Sequence, residues 1–366
     1  MSKIEELIAE LCPDGVEHKK LKDCTEMKRG TSATKSTLDE GRIPVISGGK
    51  EPAFYSNCSN RDGETITVAG SGAGAGYVQY WNEPIFVNDA FSIKVNEKIN
   101  TRYLYHFLLN IQGEIYATKK GGGVPHVHIS SIENFIIPLP PLPVQQEIVR
   151  ILDNFTELTA ELTAELTARK KQYEYYRNVL LTFGDDVPMI ALGETCSMKS
   201  GKSISSSQIL NQKDESAPYA CFGGNGIRGY VKNASHHGEF PIIGRQGALC
   251  GNVNYASGDF YATEHAVVVK SLGKYNQRFL FHLLTVMNLN QYKSQGAQPG
   301  LAVGNLENLL APVPPLNEQQ YIVSILDRFD ALCNDLTIGL PAEIEARRKQ
   351  YEYYRDILLT FKEASA

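Results

Sequence analysis

The run Gly70-Ser-Gly-Ala-Gly-Ala-Gly76 has the composition of a phosphate-cradling loop. A dinucleotide fingerprint must open a helix whose N-terminus faces the phosphates. Here Tyr77-Val-Gln-Tyr-Trp81 follows, which reads as a strand, so the run is read as a tight loop between strands. Ser200-Gly-Lys-Ser203 ends like a P-loop, but Cys196 stands where that motif requires a glycine. Asp14, Glu26 and Lys28 can be aligned with the carboxylate-carboxylate-lysine pattern of metal-dependent nucleases, in which two acids hold a metal and activate water. Against this, Asp14-Gly15 reads as a turn, and Ser197 takes the place of Glu26 in a second, related stretch. His126, His128, His236 and His237 form no helical i, i+4 pair with an acid, so no metal site is expected.

What remains is a set of polar loops, each occurring twice. Lys28-Arg-Gly-Thr-Ser-Ala-Thr-Lys-Ser36 parallels Lys199-Ser-Gly-Lys-Ser-Ile-Ser-Ser-Ser207, and Gly48-Gly-Lys50 parallels Gly223-Gly-Asn-Gly-Ile-Arg-Gly229. Lys119-Lys-Gly-Gly-Gly-Val-Pro-His126 parallels Lys293-Ser-Gln-Gly-Ala-Gln-Pro299. The glycine run itself is matched by Gly244-Arg-Gln-Gly-Ala-Leu-Cys-Gly251, which presents Arg245 and Gln246. Lysines neutralise phosphate, and hydroxyls bond its oxygens. Arg and Gln make bidentate contacts to guanine and adenine edges. The chemistry is that of DNA contact. Its candidates are Lys28, Arg29, Thr31, Lys35, Lys50, Ser71, Tyr77, Lys119, Lys120 and His126 in the first half. In the second they are Lys199, Lys202, Ser205, Asn225, Arg228, Arg245, Gln246, Lys293 and Gln298.

The elements that must position these loops are themselves duplicated. Residues 168–183 (ARKKQYEYYRNVLLTF) and 346–361 (ARRKQYEYYRDILLTF) are identical at thirteen of sixteen positions. Upstream, PLPPLPVQQEIVRILDNF (138–155) matches PVPPLNEQQYIVSILDRF (312–329). The stretches before each Pro-rich hinge share only a skeleton. The chain is two copies of one unit, in which one part repeats a task and the other performs two related tasks. From Val144 to Phe183 there is no Gly or Pro, and apolar residues recur at helical spacing, which predicts one helix of ~60 Å. Its counterpart is interrupted at Ile338-Gly339-Leu340-Pro341, so two helices or one kinked helix are expected there. Their two apolar seams suggest an antiparallel coiled coil. Short β-rich runs with one helix near each end (101–111 and 277–287) make each variable half an α+β domain with long loops.

Composition limits the class. Hydrophobic residues at 42% and charged residues at 21% suit a globular chain. A net charge of −5 argues against a polycation that coats nucleic acid indiscriminately, though not against local basic loops. No apolar run approaches ~20 residues, and the acidic start does not read as a signal peptide. Seven cysteines without a Cys-x-x-Cys make a disulfide framework and a zinc ribbon unexpected, with a reducing cytoplasm the default.

Taken together, these residues resemble the specificity (S) subunit of Type I restriction-modification enzymes over essentially the whole chain. The resemblance rests on the repeated hinge, the QYEYYR helix ends, Leu11-Cys-Pro-Asp-Gly-Val-Glu17 and Gly339-Leu-Pro-Ala-Glu-Ile-Glu-Ala-Arg347. The units Thr159-Ala-Glu-Leu162 and Thr163-Ala-Glu-Leu166 look like the spacer repeats of one branch of that family. It implies an α+β chain with two target-recognition domains, each reading half of a split, asymmetric site, separated by paired helical regions. The expected segments are 1–137, 138–183, 184–311 and 312–366. It further implies two methyltransferase subunits docked on the helices, carrying S-adenosylmethionine, and, in systems that have them, restriction subunits that bring ATP and Mg. No catalysis, cofactor or metal is expected in this chain. Tyr173, Tyr176 and Leu180, with Tyr351, Tyr354 and Leu358, occupy equivalent helical positions. They are candidates for the partner face, or else for the coil's own seam.

Overall fold

The computed structural model describes residues 3–121, 123–247, 249–294 and 299–364. The chain forms two compact units, Met1–Thr163 with Ile344–Ala366, and Ala164–Glu343. These boundaries differ from the four expected segments because each unit takes part of its helical layer from the other copy of the repeat. Among the described residues no helix is long and apolar enough to cross a membrane.

In the first unit the strands Thr25–Arg29, Ala90–Val95, Glu64–Ala69 and Val78–Asn82 lie side by side in that order, all antiparallel. Glu64–Ala69 reads ETITVA and buries every residue after the first, as a β-branched strand covered on both faces should. Helix Thr101–Asn110 buries Tyr103, Leu104, Phe107 and Leu108, in one core with Ile66, Val68 and Ile93 of the sheet. The Asn100 side chain caps its N-terminus by accepting from the backbone of Arg102 and Tyr103. A smaller sheet orders Phe54–Ser56, Glu40–Ile46 and Phe86–Val87.

The second unit repeats this plan with a larger sheet, ordered Cys196–Ser200, Ala266–Ser271, His236–Gly244, Val253–Ala262, Tyr219–Gly223 and Gly226–Val231. Its helix Gln277–Val286 is capped by Asn276 in the same manner. In each unit a short ribbon, Glu17–Lys20 with Ile136–Leu139 and Met189–Ala191 with Leu310–Pro312, leads to the hinge.

The expected long helix is present as Leu142–Leu180, 39 residues or ~58 Å. Its counterpart is two helices, Leu316–Asn334 and Leu340–Leu358. The break has a local cause. The Asp335 carboxylate accepts from the Thr337 N–H and hydroxyl at 2.7 and 2.6 Å, competing with helical bonding. A Cβ at Gly339 would lie 2.6 Å from the Ala331 carbonyl, so only glycine fits that joint.

Each unit is closed by a helix belonging to the other copy. In the first, Leu358 and Leu359 join Ile148 and Leu152 in the core, and Tyr354 stacks on Phe155. Tyr351 Oη lies 3.3 Å from His106 Nδ1, and His106 Nε2 lies 2.8 Å from Asp153 Oδ1, which Arg102 also holds. In the second, Tyr173 stacks on Phe329 and its hydroxyl lies 3.3 Å from His282 Nδ1. His282 Nε2 lies 2.8 Å from Asp327 Oδ1, which Arg278 also holds. Burial pushes the Asp153 and Asp327 carboxyls up, but hydrogen bonds from His and Arg outweigh it and hold both below their ordinary value. These residues belong to the helical layer and leave the loops free.

Candidate nucleic-acid interface

The duplicated loops gather at one edge of each main sheet, and the same backbone hydrogen bonds tie them together in both units. In the first, Gly30 N donates to Ala90 O, Gly70 N to Asp89 O, Gly72 N to Pro125 O and Val127 N to Gly70 O, all within 3.0 Å. In the second, Gly201 N donates to Ala266 O, Arg245 N to His265 O, Gly247 N to Pro299 O and Leu301 N to Arg245 O, again within 3.0 Å. Gly72 and Gly76 have φ of +81° and +83°, and Gly247 and Gly251 have +90° and +91°, where glycine is favoured. The glycine run is therefore a turn, and the strand Val78–Asn82 follows it as expected. The middle loops also correspond. A Cβ at Gly48 would lie 2.2 Å from the Ser71 carbonyl, and one at Gly224 2.8 Å from that of Gln246.

This register sets Arg245 opposite Gly70 and Gln246 opposite Ser71, in step with the shared four-residue spacing of Gly72–Gly76 and Gly247–Gly251. It also adds positions that the sequence reading passed over. Asp89 is matched by His265, Asn88 by Glu264 and His126 by Gly300. A signal was present, because Asn88-Asp-Ala-Phe-Ser-Ile-Lys94 aligns with Glu264-His-Ala-Val-Val-Val-Lys270 on its alanine and lysine.

Around a cleft of about 250 Å³ in the first unit stand Arg29, Gly30, Ser32, Gly70, Asn88, Asp89, His126 and His128. Ser71 Oγ donates to Asp89 Oδ2. Arg29 Nη2 lies 3.5 Å from His128 Nδ1, and the rings of His126 and His128 stack with centroids 5.9 Å apart. Two other candidate lysines of this unit lie over aromatic rings. Lys50 Nζ sits 5.4 Å from the Tyr77 ring centroid, and Lys119 Nζ 4.2 Å from that of Tyr116. Thr31, Lys35 and Lys120 are exposed. Lys28 points from the strand and pairs with Glu26 at 2.7 Å.

In the second unit Arg245 Nη1 donates to Ser200 Oγ at 2.9 Å, while Gln246 is exposed. Arg228 donates to Ser206 Oγ, Asn225 Oδ1 accepts from Asn252, Ser205 Oγ bonds Ser207 and Lys293 Nζ donates to Asn290 Oδ1. Lys199 and Lys202 are exposed. Gln298 lies outside the described residues. The arrangement is a surface of donors and acceptors, with no activated nucleophile assembled among the described residues. Burial pushes the Cys24 and Cys196 thiols up to about 11, the opposite of nucleophilic activation. Glu26 is engaged by Lys28, and among the described residues no three His, Cys, Asp or Glu side chains are grouped to hold a metal.

The family model of the Type I restriction modification DNA specificity domain matches residues 13–169 and 184–346. The chain belongs to the family of Type I restriction-modification specificity subunits. It is 49% identical over 263 residues to the Type I restriction enzyme EcoprrI specificity subunit of Escherichia coli, a match covering 68% of this chain and 64% of that one. A type I restriction enzyme specificity subunit described from Haemophilus influenzae is 32% identical over 352 residues, covering 88% and 89%. In fold the chain resembles the crystal structure of the Type-I restriction-modification system S subunit from M. genitalium. The TM-score is 0.72 at 18% identity, covering 94% of this chain and 96% of that one.

As a specificity subunit the chain is of the non-catalytic class, and its helical layer gains interest as a surface. Of the partner-face candidates, Tyr173 and Leu358 are buried and Tyr351 and Leu180 half-buried, so these side chains pack into their own unit's core. They form the seam. Tyr176 and Tyr354 stack on Phe329 and Phe155 with one face open. The outward residues are their neighbours: Tyr175 is 64% exposed and Tyr353 63%, Val179 51% and Ile357 52%. The same apolar pair is thus presented twice, once in each unit.

Proposed function

We propose that this chain is the non-catalytic DNA-reading scaffold of a cytoplasmic Type I restriction-modification enzyme. Each unit reads one half of an asymmetric bipartite site, and the two matching helix faces dock two methyltransferase subunits. S-adenosylmethionine binds those partners, and restriction subunits, where the system has them, bring ATP and Mg. One observation carries the reading: the loops of the two units share their backbone hydrogen bonds but differ at Gly70/Arg245, Ser71/Gln246, Asp89/His265 and His126/Gly300. An invariant frame with variant side chains is what two different half-sites require. The net charge of −5 suits a chain whose partners supply much of the phosphate clamp. Methylome sequencing with and without the gene tests it. The expected result is one bipartite methylated motif that disappears with the gene; an unchanged methylome in a strain whose methyltransferase is active rejects the reading.

The docking face has its own test. Substituting Tyr175 and Tyr353 together with alanine should weaken capture of both methyltransferase subunits while leaving the fold intact, because both rings project outward. Truncating a tyrosine anchor costs ~2 kcal/mol at an interface, about 30-fold in Kd per site. A double variant that captures two partners with undiminished affinity would show that the partners dock elsewhere.

A further inference from the structure

The loop cleft of the first unit contains an acid where a DNA-facing surface has reason to avoid one. Asp89 is exposed, lines the cleft with Arg29 and has its Oδ2 occupied by Ser71; no hydrogen bond is recorded for its Oδ1 among the described residues. A carboxylate brought up to phosphates is repelled. It gains from DNA only by accepting from an exocyclic amino group at a base edge. A G·C pair presents, in the major groove, the guanine O6/N7 acceptors beside the cytosine N4 amino donor. Arginine is the matching donor for the first and a carboxylate the matching acceptor for the second. Arg29, at the end of the strand Thr25–Arg29, and Asp89, in the turn before Ala90–Val95, stand at the wall of one cleft, with His126 and His128 stacked beside them.

The second unit holds the same two chemistries on an equivalent frame. Glu264 and His265 occupy the turn that corresponds to Asn88 and Asp89, and Arg245 N donates to His265 O at 3.0 Å. Arg245 Nη1 is held by Ser200, which leaves the Nε/Nη2 edge of the guanidinium as its remaining fork. Among the described residues Arg245 Nε, Glu264 Oε2 and His265 Nδ1 are enclosed without a hydrogen-bond partner, while Glu264 Oε1 lies 3.3 Å from His265 Nε2. Enclosed polar groups are normally paired, so these three atoms in neighbouring residues leave bonding capacity unused beside the turn.

We propose that the turn before each of the strands Ala90–Val95 and Ala266–Ser271 carries a base-reading carboxylate. Asp89 with Arg29 reads one G·C pair of the first half-site, and Glu264 with Arg245 reads one G·C pair of the second. In each case the carboxylate accepts from cytosine N4 and the guanidinium donates to the guanine. This deepens the recognition role above and rests on it.

The test uses the full chain assembled with the methyltransferase subunits of its own system, acting on a plasmid library with randomised sites. Asp89→Ala should relax one G·C position of one half-site by about 5- to 150-fold and leave the other half-site unchanged. Glu264→Ala should do the same in the opposite half. Arg29→Ala, which removes an exposed side chain, should relax the same base pair as Asp89→Ala, and it keeps the question answerable if an acid variant fails to assemble. Where a variant assembles but does not methylate, competition binding with singly substituted duplexes reads the same discrimination. A parental motif lacking a G·C pair in either half, or full discrimination retained by Arg29→Ala or by both acid variants, overturns the proposal. A parental complex that methylates without any bipartite motif overturns the recognition role itself, which is a different result.

Discussion

Replacing Gln145 with alanine is expected to destabilise the first unit by about 3–4 kcal/mol, a large effect for one amide on a helix. Its side chain is fully buried where the Pro-rich hinge enters the long helix. Oε1 accepts from Asn100 N at 2.8 Å, and Nε2 donates to Lys98 O at 3.0 Å and Pro140 O at 2.7 Å. Alanine leaves one buried N–H and two carbonyls unpaired, at ~1–3 kcal/mol each before water relieves part of the loss. Asn100 is also the cap of helix Thr101–Asn110, so the damage spreads from the hinge to the sheet's main helix. Gln319→Ala should behave alike in the second unit, since Gln319 bonds Asn276 N, Lys274 O and Pro314 O at 2.7, 2.9 and 2.8 Å. Denaturant titration of each variant measures the cost. A loss below about 1 kcal/mol would mean that the hinge is not fixed by this amide.

Adding one Thr-Ala-Glu-Leu unit after Leu166 is expected to lengthen the unread spacer of the DNA site by one base pair and to leave both half-sites unchanged. The parental spacing should then no longer be methylated. Leu142–Leu180 is unbroken, with Ile148 and Leu152 anchored in the first core and Leu166, Tyr173 and Leu180 against the second. Four helical residues add ~6 Å and turn everything beyond by ~40°. One base pair advances DNA by ~3.4 Å and turns it by ~35°. The rotations nearly agree and the rises do not. Rotation should decide, because a misrotated domain leaves its groove, whereas loops can take up a small axial error. Motif sequencing of the lengthened variant reads the outcome. An unchanged spacer in an active enzyme, or a changed half-site, would remove this helix from the role of ruler.

The repeat, the long helix and the break at Gly339 were legible in the sequence because each rests on local chemistry: period, absence of Gly and Pro, and a Gly–Pro joint. The glycine run was legible as a turn for the same reason. What the sequence withheld is non-local. Nothing in the spacing says that Tyr173 meets His282, 109 residues away, or that Tyr351 meets His106, 245 residues away. Periodicity likewise placed Tyr173 and Tyr351 on a shared face without telling inward from outward, which depends on where Phe329 and His106 stand. The loop frame was half legible. Arg29, Ser71, His126, Arg245 and Gln246 were singled out by residue type. Asp89, His128, Glu264 and His265 were not, because an acid or a lone histidine in a strand-leading turn gives no signal until the backbone register pairs the two copies.

The ties that hold the recognition loops run from main chain to main chain. Gly30 and Gly201 seat so closely that a Cβ would lie 2.1 and 1.9 Å from the carbonyls of Asn88 and Ala262. Peptide groups are common to every residue type, so the frame itself does not depend on which side chains fill the cleft. On the proposed reading, heritable changes at positions such as 71, 89, 126, 246 and 265 would alter the half-site read at little expense in folding.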